Sequence, residues 1–102
     1  MIISSQRFTD DATVAEKLAA EDFDVTLSPE FAIDGTTYQV VLDGHHSLEA
    51  AKLSGVEPAY RQADVSECDA LCILRDGDVD QFLTVMHFGD DYYNVATGKS
   101  AW

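Results

Sequence analysis

The sequence is poor in basic residues and lacks a basic cluster. Six Lys and Arg stand against 19 Asp and Glu, which gives a formal net charge of −13 and a pI near 4.1. Proteins that neutralise nucleic-acid phosphates carry a basic stripe, whereas the few cations here are scattered along the chain. The composition therefore argues against autonomous binding to duplex DNA. The acidic surplus suits a solubilising surface, a metal-dependent site, or a surface that imitates nucleic acid towards a basic protein.

Cysteine is also scarce. Cys68 and Cys72 are too few for a disulfide scaffold, and their spacing differs from the C-x-x-C of redox and zinc-ribbon sites. On a helix they share one face, which favours two half-buried thiols. A Cys2His2 site with His45 and His46 needs the tertiary fold to join the two pairs, so no metal site is predicted.

Long apolar runs are missing as well. No run approaches the roughly 18 residues that a membrane span needs. The start, MIISSQRFTDD, is unlike the basic, then hydrophobic, start of a secretion signal. We therefore expect a soluble cytoplasmic protein without a membrane partner. The 102 residues fit one domain.

The first half of the chain carries strand and helix patterns in alternation. Apolar residues recur at helical spacing over about 11–21, and alternation over 23–27 predicts a half-buried strand. Two further strands, 31–33 and 37–42, flank Asp34-Gly35, a dipeptide that favours a hairpin turn.

The second half predicts helices and two short strands. We expect a helix that ends at Gly55, an edge strand within 56–63 or after Pro58, and a helix over 70–74 that a capping box of Ser66 and Asp69 opens. The pattern over 78–88 predicts an amphipathic helix with His87 on its buried or boundary face, although Thr84 and Val85 also allow a strand. A last strand is expected over 92–95. Together these elements predict an α+β fold: a single compact domain with a small mixed sheet and three to four short helices.

The segment VVLDGHHSLEAAKLSG has the pattern of a strand, a turn and a helix. Glycine at such a junction lets the backbone turn tightly, and the unpaired N–H groups of the helix start face outward. This arrangement is a general device for binding anions. Asp43 and Gly44 form the turn here.

Residues 43–58, DGHHSLEAAKLSGVEP, resemble the most characteristic segment of the ParB/sulfiredoxin-like (ParB-like nuclease) superfamily. That pattern is a strand, a glycine, a polar pair, an arginine, and a helix with paired alanines. The resemblance implies a ParB/sulfiredoxin-like domain over 1–102, in which this segment lies over the phosphates of a nucleotide. By position, Gly44 is the turn glycine, His45 stands at the cysteine of sulfiredoxin, and His46 matches the histidine or first arginine of the family.

The sequence departs from that pattern at Ser47, where the family usually has arginine. Guanidinium supplies a fixed charge and paired donors, whereas serine supplies one neutral hydroxyl. Loss of a charged hydrogen bond weakens affinity roughly ten- to a hundredfold. Arg61 or Arg7 could compensate through the fold, as could a divalent cation held by Asp43 and phosphate. Lys52 is expected to point elsewhere.

Two further groups of side chains have competing interpretations. The histidine pair could provide acid–base chemistry near neutral pH, or one ring could cap the helix or pack under the hairpin while the other is solvated. The acids Asp76, Asp78 and Asp80 alternate as in a calcium loop, but the glycine and glutamate of an EF-hand are missing, so this site is not predicted.

These observations support two functions. The charge and Ser47 favour a degenerate ParB-like domain that acts as an acidic binding or inhibitory module, or DNA mimic, towards a basic nucleic-acid-binding protein; small acidic proteins of phages, plasmids and other bacterial mobile elements often work this way. The intact turn favours a nuclease, NTPase or phosphotransferase that uses ATP or CTP with Mg²⁺. In that enzyme the binding residues are Asp43, Gly44, His45, His46 and Ser47, and His45 and His46 are catalytic.

Overall fold

A mixed sheet with helices on both faces is the framework of residues 1–6, 9–87 and 91–102, the part of the chain that the computed structural model describes. The strands are β1 (Ile2–Ser4), β2 (Asp24–Leu27), β3 (Phe31–Ile33), β4 (Thr36–Asp43), β5 (Ala59–Gln62) and β6 (Tyr93–Asn94). The helices are α1 (Asp11–Ala20), α2 (His45–Ser54), α3 (Ala70–Arg75) and α4 (Val79–Val85), with a 3-10 turn at Val65–Glu67. The predicted α+β class is confirmed.

The sheet has the order β5-β2-β4-β1-β6, and β3 lies beside the first half of β4. β1 is parallel to β4, β5 is parallel to β2, and the other pairings are antiparallel. The hairpin of β3 and β4 turns as predicted, because Asp34 and Gly35 both have positive φ, 50° and 84°. The predicted edge strand is also confirmed, since β5 begins directly after Pro58.

Each face of the sheet has its own apolar core. On one face α3 and α4 bury Leu71 and Phe82 against Ile3 and Val40. On the other face Leu48 of α2 packs on β2 and β4. Neighbouring residues of β4 alternate between the two cores, as the pleat of a strand requires. Both helical layers are therefore fixed to one sheet.

β1 is the element that the sequence pattern missed. It has three residues, too few to show alternation, yet Ile3 is fully buried between Val40 of β4 and Asn94 of β6. Its pairing is entirely long-range. This strand positions the N-terminal segment next to β4, with the consequence that α1 begins close to α2.

The predicted capping box is wrong. Asp64 and Glu67 form the box instead: the Asp64 side chain accepts a backbone N–H of the 3-10 turn, and the Glu67 carboxylate accepts the backbone N–H of Asp64. The Glu67 side chain is long enough to reach back three residues to the backbone of Asp64. Asp69 is the N-cap residue of α3, and within the described residues its side chain makes no capping hydrogen bond. The pair Ser66 and Asp69 has the same spacing two residues later, which explains the wrong prediction.

α4 follows the predicted amphipathic pattern but is shorter than 78–88. Its last residue is Val85, and Met86 is its C-cap. The expectation that His87 lies on a buried or boundary face is wrong, because His87 is exposed beyond the helix end. Phe88, the end of the predicted helix, lies outside the described residues.

Candidate functional site

Gly44 makes the turn between β4 and α2. Its φ is 92°, and a Cβ at this position would collide with the backbone carbonyl oxygen of Asp24. Only glycine fits both the conformation and the close approach. The carbonyl oxygen of Gly44 accepts the N–H of Leu48 at 2.8 Å, and within the described residues no side chain caps the start of α2. The turn expected from the sequence is present.

The starts of α1 and α2 lie next to each other, because the parallel strands β1 and β4 deliver the chain to the same end of the sheet. A hydrogen bond joins them: His46 Nε2 accepts the backbone N–H of Asp10 at 3.1 Å. An accepting Nε2 requires a neutral imidazole with its proton on Nδ1. The His45 and His46 rings lie 4.1 Å apart between centroids, tilted by 43°. His46 thus joins the start of α2 to the residue before α1.

Ser47 is directed into the protein. Its side chain is 2% exposed, and its hydroxyl donates to Asp22 Oδ1 at 3.3 Å. Asp22 Oδ2 accepts the Lys17 ammonium at 2.9 Å. The Lys17 hydrogen bond, followed by the backbone N–H of Asp24, holds the pKa of Asp22 below its ordinary value. Ser47 therefore belongs to a hydrogen-bonded group with Asp22 and Lys17.

Carboxylates stand at both helix starts. Asp43 Oδ1 accepts the N–H of Gly44 at 2.8 Å, and Asp10 Oδ2 accepts the Thr13 hydroxyl at 2.8 Å. The Thr13 hydrogen bond lowers the pKa of Asp10. Negative side chains are favourable beside the partial positive charge of a helix start, but they repel a phosphate from the same place.

The cations considered as substitutes for the missing arginine have other partners. Arg61 Nη1 contacts both Glu67 carboxylate oxygens at 2.9 and 3.0 Å. Lys52 Nζ donates to the carbonyl oxygen of Val95 at 2.6 Å, so it points elsewhere, as expected. Arg7 lies outside the described residues.

A cavity of about 290 Å³ adjoins Asp43 on the α3–α4 face of the sheet. Its lining residues are Thr26, Leu42, Asp43, Arg61, Ala63, Glu67, Cys68 and Met86. Asp43 and Glu67 contribute two carboxylates, and Arg61 contributes the single guanidinium, which is paired with Glu67. The charged side chains of this lining therefore carry a net negative charge, which disfavours a polyanionic ligand.

No group of three or more His, Cys, Asp and Glu side chains in residues 1–6, 9–87 and 91–102 is placed to hold a metal ion. The pairs Cys68–Cys72 and His45–His46 consequently form no common site there. Asp78 instead caps α4 by accepting the N–H of Gln81 at 3.1 Å.

Exposed acids cover much of the surface. Among the acidic residues that the structure describes, Asp22 and Glu49 are partly buried and the others are exposed. One group belongs to the α3–α4 half of the domain and is termed the α3–α4 acidic surface: Asp64, Glu67, Asp69, Asp76, Asp78, Asp80 and Asp91. Arg75 is the one basic residue of that segment, and its Nε lies 3.5 Å from Asp76 Oδ1.

Sequence reasoning missed the α1 partners of the turn. His46 contacts Asp10, and Ser47 contacts Asp22, which in turn binds Lys17; these partners precede the two residues by 24 positions or more. Local sequence patterns do not predict such contacts, because they depend on the packing of α1 against α2. The composition predicts an acidic protein but does not predict that Asp10 and Asp22 lie beside the Gly44 turn.

Comparison of the chain with protein-family models, with curated proteins and with solved structures gave no match. In the described part of the chain, no helix has the length and apolar character that a bilayer crossing requires.

Proposed function

We propose that the chain is a non-catalytic domain of ParB/sulfiredoxin-like descent that binds a basic, nucleic-acid-binding protein through its acidic surface. The observation that carries this proposal is the position of Ser47. Ser47 occupies the position at which the family has its phosphate-binding arginine, and its buried hydroxyl donates to Asp22. The residue therefore stabilises the contact between α1 and α2 and has no charge to offer a phosphate.

The electrostatics of the turn support the same conclusion. A phosphate at the start of α2 would meet the carboxylates of Asp43 and Asp10, and in the described part of the chain no guanidinium contacts either of them. A partner protein rich in lysine and arginine would instead be attracted over long range, because the surface carries exposed acids and few cations. The domain imitates the charge of nucleic acid in this proposal.

The partner surface in this proposal is the α3–α4 acidic surface. Its acids are exposed and its one arginine lies beside Asp76. A basic protein that normally binds DNA or RNA would present cations with matching spacing along such a surface. A host nuclease or a defence complex, bound in the cytoplasm by a protein of a phage or plasmid, is the concrete version.

A pull-down with matched charge variants tests this proposal. The first variant, Asp69→Asn with Asp76→Asn and Asp80→Asn, removes three of the seven negative charges of the α3–α4 acidic surface. The control, Glu16→Gln with Glu30→Gln and Asp34→Asn, removes the same charge from exposed positions elsewhere. We expect the wild type and the control to retain a nucleic-acid-binding protein at about 50 mM salt and to release it at about 300 mM, where screening is stronger.

Added duplex DNA should displace the captured protein, and the α3–α4 variant should capture much less of it. Equal capture by both variants, or capture that duplex DNA leaves unchanged, would contradict the proposed function. Recovery of no nucleic-acid-binding protein at low salt would contradict it as well.

A second function has one observation in its favour. Gly44 still makes the tight turn, and no described side chain caps the start of α2, where the helix dipole favours an anion. In this alternative the chain binds ATP or CTP with Mg²⁺ beside Asp43. A nucleotide titration separates the two functions.

A further inference from the structure

The two edges of the sheet differ in how they are covered. At the β6 edge the C-terminal turn folds back, where Asn94 N–H donates to the Lys99 carbonyl at 2.8 Å and Ala101 N–H donates to the Tyr92 carbonyl at 3.0 Å. β5 forms the other edge, and all four of its residues are exposed. Within the described residues β2 is its one strand partner.

The free backbone groups of β5 can be assigned from its pairing. Ala59 and Ala63 donate their N–H groups to β2 or its flanking residue, at 2.9 and 2.8 Å. Every second residue of a parallel strand bonds to the same neighbour, so Arg61 also faces β2. The N–H and C=O groups of Tyr60 and Gln62 therefore point away from the sheet. An edge of this kind is ready to pair with another extended chain.

A groove of about 600 Å³ adjoins this edge on the α2 face. Its lining residues are Met1, Ile2, Leu48, Lys52, Val56, Glu57, Pro58, Tyr60, Asn94, Val95 and Ala96. Three of them, Met1, Val56 and Tyr60, are large apolar side chains that are 48%, 47% and 40% exposed. Such clustering of exposed apolar side chains in a concavity is typical of binding sites.

The charged groups beside the two ends of β5 are acidic, whereas the two cations of the groove, the Lys52 ammonium and the N-terminal ammonium of Met1, donate to the carbonyl oxygens of Val95 and Thr37. Glu57 precedes the strand and Asp64 follows it, and both are exposed. Glu57 is close enough to Tyr60 to add to the rise in the phenol pKa that burial causes. Arg61, in the middle of the strand, is bound by Glu67 and directed towards Thr26 on the opposite face. A segment along this edge would pass carboxylates at both ends.

We infer that the β5 edge binds an extended, basic segment of the protein partner, which adds a strand beside Tyr60 and Gln62 and inserts an apolar side chain into the groove. Backbone hydrogen bonds supply the pairing and the groove selects the side chain. The inference rests on the proposed function for the basic character of the partner. A second copy of this chain is a poorer occupant, because two molecules of charge −13 repel each other.

Fluorescence anisotropy with two labelled peptides tests the inference. The strand probe alternates lysine with valine or phenylalanine, and the control probe has the same lysines with glycine between them. We expect the strand probe to bind the wild type about tenfold or more tightly than the control probe, because only the strand probe fills the groove and favours an extended chain.

Matched variants locate the contact. Gln62→Pro removes one outward N–H without removing a bond to β2, and Gln62→Ala keeps that N–H. We expect Gln62→Pro to weaken the strand probe about tenfold and Gln62→Ala to leave its affinity unchanged. Val56→Ser should weaken the strand probe and not the control probe. A strand probe methylated on the backbone nitrogens that face β5 should bind weakly, whether or not Gln62→Pro folds.

Each other outcome has a defined meaning. Equal affinity for both probes, with no effect of Gln62→Pro or of methylation, overturns the edge inference and leaves the proposed function standing. Binding of neither probe at low salt also overturns the edge inference, whereas the proposed function is decided by the pull-down with the charge variants of the α3–α4 acidic surface. A dimer mass in light scattering that Gln62→Pro reduces to a monomer identifies a second copy as the occupant and overturns the inference of a basic segment.

Discussion

His46 Nε2 accepts the backbone N–H of Asp10 at 3.1 Å, and this contact joins the first turn of α2 to the residue before α1. The ring that the sequence resemblance places beside a phosphate is thus also a link between two helices. Its neighbour Ser47 makes the second link, through Asp22. Both residues therefore have structural roles in the contact between α1 and α2.

Removal of the His46 ring should therefore reduce stability. We expect His46→Ala to lower the free energy of unfolding by about 1 kcal/mol, because the N–H of Asp10 loses its acceptor. His87→Ala is the control, since His87 is exposed, and it should change stability by less than about 0.5 kcal/mol. Urea unfolding followed by circular dichroism measures both. Equal effects of the two substitutions would show that the His46 contact contributes nothing.

The Gly44 turn offers a test of the close approach to Asp24. Gly44 and Gly35 both have positive φ, but a Cβ on residue 35 meets no atom within 4 Å, whereas one on residue 44 meets the Asp24 carbonyl. Gly35→Ala should cost about 1 kcal/mol for backbone strain alone. Gly44→Ala should cost about 2 kcal/mol more, because the turn after β4 must also move away from the Asp24 carbonyl of β2. A comparison of urea midpoints decides this, and equal losses would contradict the described geometry.

The short strand β1 should matter more than its length suggests. Ile3 is fully buried between β4 and β6, so Ile3→Ala should lower the free energy of unfolding by about 2–5 kcal/mol. Leu53→Ala removes an equal number of carbon atoms from a side chain that is 64% exposed, and we expect a change below about 1 kcal/mol. Thermal or urea unfolding measures the pair. A small effect at Ile3 would show that β1 is not a strand of the core.

The contact of Glu67 predicts a dependence of stability on pH. The backbone N–H of Asp64, followed by Arg61, holds the pKa of Glu67 below its ordinary value of 4.5. A lowered pKa in the folded state means that the ionised group stabilises the fold fully above pH 4.5 and that this contribution is lost as the pH falls through the folded-state pKa. Wild type should unfold at a higher temperature than Glu67→Gln at neutral pH.

That difference in melting temperature between wild type and Glu67→Gln should shrink as the pH falls below 4.5 and through the lowered folded-state pKa of Glu67. Glu30→Gln, an exposed residue outside the Asp64–Glu67 box, is the control. A difference that stays constant from neutral to acid pH would contradict the role given to the Glu67 charge.

Local patterns in the sequence predicted most of the fold. The helix α1, the β3–β4 hairpin, the Gly44 turn and the edge strand β5 each have a signature within a few residues, such as Asp34-Gly35 at the hairpin. β1 escaped prediction because its pairing is stabilised by residues more than 35 positions away. Local signatures carry no information on such partners.

The candidate site was predictable in its backbone but not in its surroundings. The positive φ of Gly44 follows from the residue type, and the start of α2 follows from the pattern. The inward direction of Ser47 depends on where α1 packs, and the acid at Asp22 becomes part of the site only through that packing. The composition therefore predicted that the site carries a negative charge, but it did not predict the contact between Ser47 and Asp22.

Isothermal titration calorimetry of the wild type with ATP and with CTP, in the presence of Mg²⁺, tests the absence of a functional phosphate site most directly. With carboxylates at both helix starts and Ser47 directed at Asp22, we predict that neither nucleotide binds more tightly than about 1 mM. A dissociation constant of about 10 µM or less that His46→Ala abolishes would contradict the account and identify the turn as a nucleotide site.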